Sequence, residues 1–152
     1  MIKKNVLKQI SLSKIEEFAT EQGVIFPEDY EKFLYEYNGG FPVLQKFQTM
    51  DKKENSSCEI FFGIDDDLTI YKHLTLNEVW QSNIKMDMPE EIYPIGQDGG
   101  GNQICICLKG ENYGKVYFYD HEWWNEDDEG NITWENLYLI ANSFTEFLEK
   151  LH

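Results

Sequence analysis

The chain has 152 residues, of which 41% are hydrophobic and 15% aromatic, and this length and composition predict one folded domain, residues 1–152, with a buried core. Its 28 acidic and 13 basic side chains give a formal net charge of −15, which repels nucleic-acid phosphates and anionic membrane surfaces but attracts basic partners. Direct binding to DNA, RNA or a membrane is therefore not expected.

Targeting signals and cysteine pairs are not evident in the sequence. No stretch approaches the roughly 20 apolar residues of a membrane span, and the opening MIKKNVLKQI lacks the apolar run of a signal peptide. Cys58, Cys105 and Cys107 are odd in number and lack C-x-x-C spacing. We therefore expect a cytoplasmic protein with three reduced thiols.

The first predicted element is a short helix. Ser13 and Glu16 form a capping-box pattern ahead of an apolar stripe that ends near Gly23. The stripe consists of Ile15, Phe18 and Ala19. This spacing predicts an amphipathic helix that begins at Ser13.

A second helix is predicted within FPEDYEKFLYEYNGGFP, residues 26–42. Pro27 suits the first helical position, because it has no amide hydrogen to leave unpaired there. Large side chains at i, i+3, i+4 and i+7 then line one face, namely Tyr30, Phe33, Leu34 and Tyr37. Asn38, Gly39 and Gly40 can adopt the left-handed backbone that ends a helix.

The middle of the chain predicts strands and one further helix. Residues 43–50 and 58–64 are predicted to be strands, separated by the polar loop DKKENSS at 51–57. The run of three aspartates at 65–67 suits a helix N-terminus, and partial helical periodicity follows it. A helix is therefore predicted over 65–84.

A hairpin follows within IYPIGQDGGGNQICICLKGENYGKVYFYDHE, residues 92–122. The isoleucines and Leu108 of the first strand alternate with Gln103, Cys105 and Cys107, and Val116 and Phe118 of the second alternate with tyrosines. This alternation predicts two half-buried antiparallel strands joined through KGENYG.

The chain closes with SFTEFLEKL, residues 143–151, in which Ser143 and Glu146 form another capping-box pattern. Positions i, i+3, i+4 and i+7 of this predicted helix are again apolar, namely Phe144, Phe147, Leu148 and Leu151. N-terminal and C-terminal helices would then flank a central, twisted antiparallel sheet. The fold class predicted for the chain is α+β, in a single domain.

Four of these segments together closely resemble the SUKH superfamily. They are an FP-initiated helix closing in YNGG, then IYPIGQDGGGNQICI, then GKVYFYDHE, then ANSFTEFLEKL. The order and spacing of the segments carry the resemblance, since each of them alone is common, and it spans roughly Ser13 to Leu151. Phe26 is a departure, because the family more often has leucine before the proline.

The resemblance implies a protein-binding domain without enzymatic activity or a cofactor. Many bacterial members of the superfamily are cytoplasmic immunity proteins that neutralise polymorphic toxins, often nucleases, and the fungal branch regulates cell-wall synthesis. An immunity protein is therefore the leading hypothesis, and a regulatory scaffold for a signalling or cell-wall enzyme is the alternative, with a small hydrolase third. The charge of −15 agrees with the first, because an inhibitor of a nuclease must match a basic, phosphate-binding cleft.

Two sequences resemble ligand-binding loops. Residues 98–102, DGGGN, are glycine-rich like a phosphate loop, but a strand follows them and Asp98 is the nearest charge, so a turn with positive φ is the favoured interpretation. Residues 125–136, NEDDEGNITWEN, place Asn125, Asp127 and Glu129 at positions 1, 3 and 5 of a calcium loop, but position 12 is Asn136. A solvated acidic turn or a loop facing a partner is favoured there, and no metal site is predicted.

Catalytic residues are not predicted. His73, His121 and His152 are scattered among different elements, and no serine or cysteine lies in a recognisable nucleophile motif. His121 beside Glu122 could perform acid–base chemistry, but a polar residue at the end of a strand is the simpler interpretation.

Trp123 and Trp124 are the central candidates for partner binding. In an extended segment adjacent side chains point to opposite sides, so one ring can enter the core while the other is exposed as an anchor, and burial of both rings is the alternative. The acidic neighbours that would surround the anchor are Glu122, Glu126, Asp127 and Asp128. Asp65, Asp66 and Asp67 form a second acidic cluster, for which a helix N-terminus is the simplest explanation.

Overall fold

The central sheet has five antiparallel strands in the spatial order β5–β6–β7–β8–β9. The computed structural model describes residues 1–65 and 71–152. The strands are β1 (Ile2–Lys4), β2 (Phe41–Pro42), β3 (Lys46–Gln48), β4 (Asn55–Ser57), β5 (Ile60–Phe61), β6 (Ile92–Gln97), β7 (Gln103–Cys107), β8 (Val116–Tyr119) and β9 (Leu137–Ala141). The helices are α1 (Leu12–Gln22), α2 (Glu28–Tyr37), α3 (Leu76–Val79), α4 (Asn83–Met86) and α5 (Phe144–Lys150), with a 3₁₀ turn at Lys72–Leu74. The α+β fold predicted from the sequence is confirmed.

The first face of the sheet lies under α1, α2 and α5 and carries the main core. Ile104 and Ile106 of β7 and Phe118 of β8 point to this face. The helices contribute the side chains that the sequence periodicity selected, namely Ile15, Phe18, Tyr30, Phe33, Leu34, Phe144 and Phe147. Edge-to-face aromatic pairs join the helices, with Phe144 5.0 Å from both Tyr30 and Phe33 between ring centroids.

The second face is also buried, which corrects the prediction of half-buried strands. Cys105, Cys107, Tyr117 and Tyr119 are at most 7% exposed, and they pack with Met88 and Ile92 in a separate cluster. Trp134, Leu137 and Leu139 cover this cluster from the side of β9. The alternation identified the two faces correctly, but it could not show that the second face has a cover of its own.

The N-cap of helix α1 lies two residues earlier than the sequence predicts. The Lys14 amide donates to Ser11 Oγ at 3.3 Å, so Ser11 is the N-cap and Ser13 lies inside the helix. The predicted capping box of Ser13 and Glu16 is therefore wrong, because the N-cap bond needs only a backbone amide three residues on, and Lys14 supplies it to Ser11. The end at Gly23 is confirmed, where φ is +69°.

Helix α2 forms where predicted, but Pro27 is its N-cap and Glu28 is the first helical residue, whereas Pro27 was predicted at the first helical position. Asn38 ends the helix with a φ of +47°. The Asn38 side chain donates to the carbonyls of Lys8 and Ile64 at 2.8 and 2.7 Å and accepts from the Ile64 amide at 2.8 Å. The end of α2 is therefore fixed to both the N-terminal segment and the segment after β5.

Two predictions for residues 43–64 need correction. Asn55–Ser57 form strand β4, paired with Lys46–Gln48, although the polar stretch 51–57 was predicted to be a loop throughout. The strand predicted over 58–64 is regular only at Ile60–Phe61. A tight turn centred on Asp51, which accepts from Thr49 Oγ1 and the Lys53 amide, brings the polar residues into register with a strand.

The helix predicted over 65–84 is broken in its described part. Residues 71–86 contain the 3₁₀ turn, α3 and α4 instead of one continuous helix. Thr75 and Ser82 have extended backbones, with ψ of 144° and 169°, and Thr75 Oγ1 accepts from the Glu78 amide as the N-cap of α3. The part of the prediction at 66–70 lies outside the described residues.

Helix α5 shows the predicted cap and a second one from another helix. Ser143 Oγ accepts from the Glu146 amide at 3.1 Å, and the Glu146 carboxylate accepts from the Asn142 amide. Asp29 of α2 adds a cap from a distance, because its Oδ2 accepts from both the amide and the hydroxyl of Thr145. Within residues 1–65 and 71–152, none of the helices has the length and apolar character needed to span a membrane.

Candidate partner-binding surface

Residues 120–136, the tryptophan segment, leave the sheet after β8 and return to it at β9. The Asp120 amide donates to the Asn136 carbonyl at 3.0 Å, and Asn136 Nδ2 donates to the Asp120 carbonyl at 3.1 Å. These two bonds join the beginning and the end of the segment. The segment is therefore a closed excursion of 17 residues held by a regular sheet.

Two inward side chains attach the tryptophan segment to the body of the protein. Asn125 is 8% exposed, and its Nδ2 donates to the Asp87 carbonyl at 2.6 Å. Trp134 packs edge to face on Tyr117 of β8, with 5.5 Å between ring centroids. These contacts make the segment the cover of the second face.

Trp123 and Trp124 are both exposed, by 64% and 75%. The expectation that one ring enters the core is therefore wrong. Its premise was an extended backbone, whereas residues 121–123 form a turn, in which the Trp123 amide donates to the Asp120 carbonyl. Asn125 and Trp134 make the inward contacts instead.

The acidic residues around the two exposed indoles differ in their environment. Glu122, Glu126 and Asp128 are exposed side chains. Asp127 is also exposed, but its carboxylate accepts from the amides of Glu129 and Asn131 and from Asn131 Nδ2. Hydrogen bonds from Asn131 hold the pKa of Asp127 below its usual range. Asp127 therefore shapes its own turn as well as adding charge to the surface.

Asp65, the described residue of the second predicted acidic cluster, lies apart from the tryptophan segment. Asp65 is half-buried beside α1 and α3, on the side of the first face, where it lines a cavity of about 260 Å³ with Lys14 and Asn77. The Asn77 side chain bonds both the amide and the carbonyl of Asp65. Asp66 and Asp67 lie outside the described residues. The structure therefore brings the candidates at 122–128 together and separates Asp65 from them.

The glycine-rich sequence at 98–102 is a turn, as predicted. The Asp98 carboxylate accepts from the amides of Gly100 and Asn102, from Asn102 Nδ2 and from Ser56 Oγ, each at 2.9 Å. Gly101 has a φ of +91°. A carboxylate occupies the amides that a phosphate would need, so the loop is suited to joining β6 to β7 rather than to binding an anion.

The turn at 127–131 repeats this pattern in the tryptophan segment. Both sequences read D-x-x-G-N, the last residue bonds the first aspartate through its amide and side chain, and Gly130 has a φ of +82°. Within residues 1–65 and 71–152 no three His, Cys, Asp or Glu side chains are grouped to hold a metal ion. The repeat of D-x-x-G-N would have predicted two similar turns, but the sequence was compared only with known ligand-binding loops.

His121 and the three cysteines have structural surroundings. His121 Nδ1 lies 2.6 Å from Asn102 Oδ1, which links the end of β8 to the β6–β7 turn. Cys58, Cys105 and Cys107 are free and buried. Burial raises the pKa of all three thiols, which keeps them in the poorly nucleophilic protonated form.

Comparison with known proteins agrees with the fold. Residues 9–150 match the model of the SMI1 / KNR4 family (SUKH-1). The chain is also similar to the SPbeta prophage-derived uncharacterized protein YokK of Bacillus subtilis (strain 168), with 29% identity over an alignment that covers 91% of this chain and 72% of the relative. The residues that match the family model include α1, α2, the whole central sheet and α5. The chain therefore belongs to the SMI1 / KNR4 family (SUKH-1).

Proposed function

We propose that this protein is a cytoplasmic immunity protein that neutralises a cognate protein toxin by forming an inhibitory complex. It acts by binding rather than by catalysis, and the tryptophan segment supplies the main contact surface. Membership of the SMI1 / KNR4 family supports the proposal, since its bacterial members include many immunity proteins. The prophage-derived description of the Bacillus subtilis relative supports it further, because it associates a similar protein with a mobile element.

The observation that carries the proposal is the exposure of two adjacent tryptophans. Large apolar surfaces are usually withdrawn from water, and Trp is enriched among the residues that dominate binding energy at interfaces. Trp123 and Trp124 are 64% and 75% exposed on a segment whose other side is attached to the sheet. A partner that covers both indoles would remove them from water without moving the core.

The charge of the segment indicates the kind of partner. Residues 120–136 contain seven acidic side chains and neither lysine nor arginine. Such a surface attracts a basic protein and accelerates its association. A toxin with a basic nuclease domain fits this requirement, because its nucleic-acid cleft must be positive.

If a neighbouring gene encodes a toxin, co-expression of the two proteins tests the proposal. We expect the wild-type protein to rescue growth and to copurify with the toxin, and the W123A/W124A variant to lose both effects while remaining soluble. The matched control is I25A, since Ile25 is 77% exposed outside the tryptophan segment. Toxicity that persists beside soluble wild-type protein would refute the proposal for that pair.

A regulatory scaffold for a signalling or cell-wall enzyme is the second candidate. It is favoured by the family match itself, since the fungal branch of the superfamily regulates cell-wall synthesis. The two candidates differ in their genetic neighbours. A housekeeping neighbour, together with a copurifying host enzyme whose activity changes on binding, would support the scaffold instead.

A further inference from the structure

A cavity of about 460 Å³ opens beside Trp134, at the turn between β7 and β8. It is lined by Glu91, Lys109, Gly110, Glu111, Asn112 and Trp134. We propose that this cavity binds an arginine side chain of the protein partner. The identity of that partner rests on the proposed function, whereas the preference of the cavity for a guanidinium group does not.

Trp134 provides the stacking surface. Its ring is half-buried and contacts Tyr117 at an interplanar angle of 75°, so the indole is held in one orientation. Trp134 is at the same time one of the residues that line the cavity. A guanidinium group packs favourably against the face of an indole, and Trp is the best of the aromatic side chains in this role.

The charges at the cavity favour a cation over an anion. Lys109 is the only basic residue of the lining, and its ammonium lies 3.6 Å from Glu90, which is outside the lining. The ammonium of the nearby Lys115 donates to Asn112 Oδ1 at 3.1 Å. Within the described part of the chain, Glu91 and Glu111 form no ion pair. The acidic charge at the cavity is therefore less neutralised than the basic charge.

An arginine side chain suits Trp134 and the two glutamates of the cavity better than a lysine side chain does. Its planar group can stack on the indole while its N–H donors bond a carboxylate, whereas an ammonium is a compact and strongly hydrated charge. The cavity is also connected to the proposed interface through the chain, because the segment that exposes Trp123 and Trp124 supplies Trp134.

Titration of the full-length protein with Nα-acetyl-arginine amide, followed by NMR of the indole N–H signals, tests the inference without the toxin. We expect the Trp134 signal to shift saturably, with a dissociation constant on the order of millimolar for so small a ligand. Trp80 is the internal control, because it is 6% exposed and its indole donates to the Pro94 carbonyl. The neutral citrulline analogue, at the same ionic strength, should leave Trp134 unmoved.

The double variant E91Q/E111Q should weaken arginine binding at least fivefold and retain the wild-type Tm. Equal binding of the citrulline analogue, equal binding by this variant, or a Trp134 shift no larger and no more saturable than those of Trp123 and Trp124 would each overturn the inference. Arginine binding at Trp134 in a protein that fails to protect against the toxin would uphold the cavity and refute only the proposed function.

Discussion

Single residues with several bonding partners hold the elements of this fold in place. Asn38 bonds the carbonyls of Lys8 and Ile64 with one side chain, and the backbone must come close enough for those bonds to form. A Cβ on Gly39 would lie 2.7 Å from the Phe61 carbonyl oxygen, and one on Gly63 would lie 2.2 Å from the Asn38 carbonyl oxygen. The sequence predicted that Asn38–Gly40 ends a helix, but the bonds to distant residues depend on contacts that a local pattern does not contain.

The close approach at Gly39 predicts a large effect of substitution. Gly39→Val combines a φ of +80° with steric overlap, so we expect the free energy of unfolding to fall by about 3 kcal/mol or more. Gly23 is the control: its φ is +69°, but nothing lies within 4 Å of an added Cβ. Gly23→Ala should cost only about 1–2 kcal/mol in urea denaturation. Equal losses at the two positions would contradict the steric argument.

Substitution of Asp29 should lower the free energy of unfolding less than substitution of Gly39 does, and Glu28 provides a matched control. Its carboxylate accepts two hydrogen bonds from Thr145 at the start of α5, so Asp29→Ala should lower the free energy of unfolding by about 1 kcal/mol, as the loss of a helix cap does. Glu28 lies in the same first turn of α2 but is exposed. Thermal denaturation of Glu28→Ala should show a smaller loss; a loss as large as that of Asp29→Ala would mean that the cap contributes nothing.

A helix or strand of this protein was predictable from the sequence where one of its faces is buried, because burial gives the apolar residues a regular spacing. The periodicity of α2 and α5 and the alternation in β7 and β8 correspond to the observed faces. Strand β4 was not predictable, because its polar residues are extended only through pairing with β3. The break in the helical region at 71–86 was not predictable either, because it depends on the extended backbones of Thr75 and Ser82. For the candidate surface, the sequence located the tryptophan segment but not the direction of its rings, which depends on the turn at 121–123.

The two D-x-x-G-N turns predict different consequences for the same substitution. Asp98 is 8% exposed and accepts four hydrogen bonds, one of them from Ser56 of β4, so Asp98→Ala should cost about 1–3 kcal/mol of stability. Asp127 makes similar bonds within an exposed turn. Asp127→Ala should lower the Tm less than Asp98→Ala, as measured by calorimetry. The reverse order would show that the tryptophan segment is the more important structural element.

Substitution of an exposed tryptophan should weaken toxin binding without lowering the stability of the fold. Trp123→Ala or Trp124→Ala, at whichever ring is the central anchor, should weaken toxin binding by at least about 2 kcal/mol, because anchors of this kind dominate interfaces. Each variant should keep the wild-type Tm, since both rings are largely in water. Trp134→Ala serves as the contrast and should lower the Tm through its lost contact with Tyr117. Titration calorimetry that shows wild-type affinity for both exposed-ring variants would move the interface elsewhere.

The whole molecule has a net charge of −15, but its charges are not equivalent for binding. Glu126 and Asp128 are exposed on the tryptophan segment, whereas Glu16 and Glu149 are exposed on helices of the first face. Reversal of either pair changes the net charge by the same amount. A comparison of the two pairs therefore separates the local field at the proposed interface from the overall charge.

Association kinetics should distinguish the two pairs. We expect E126K/D128K to lower the association rate constant with the toxin much more than E16K/E149K does, because charges near the interface steer the encounter most strongly. The wild-type rate should fall as salt rises, since the Debye length is about 10 Å at 0.1 M, and the dissociation rate should change little. Stopped-flow rates that are equal for the two variants and flat with salt would exclude electrostatic steering.

The tryptophan segment both covers the second face and exposes side chains to water, which affects how new binding specificities can arise in such a protein. Asn125 and Trp134 face inward and maintain the cover of the second face, whereas Trp123, Trp124 and the turn at 127–131 face water. Trp123, Trp124, Glu126 and Asp128 can therefore change in identity without an accompanying change in the core, whereas Asp127 and Gly130 maintain the turn. Under the proposed function, a descendant that meets an altered toxin can adapt through these four exposed positions while the cover of the second face stays unchanged.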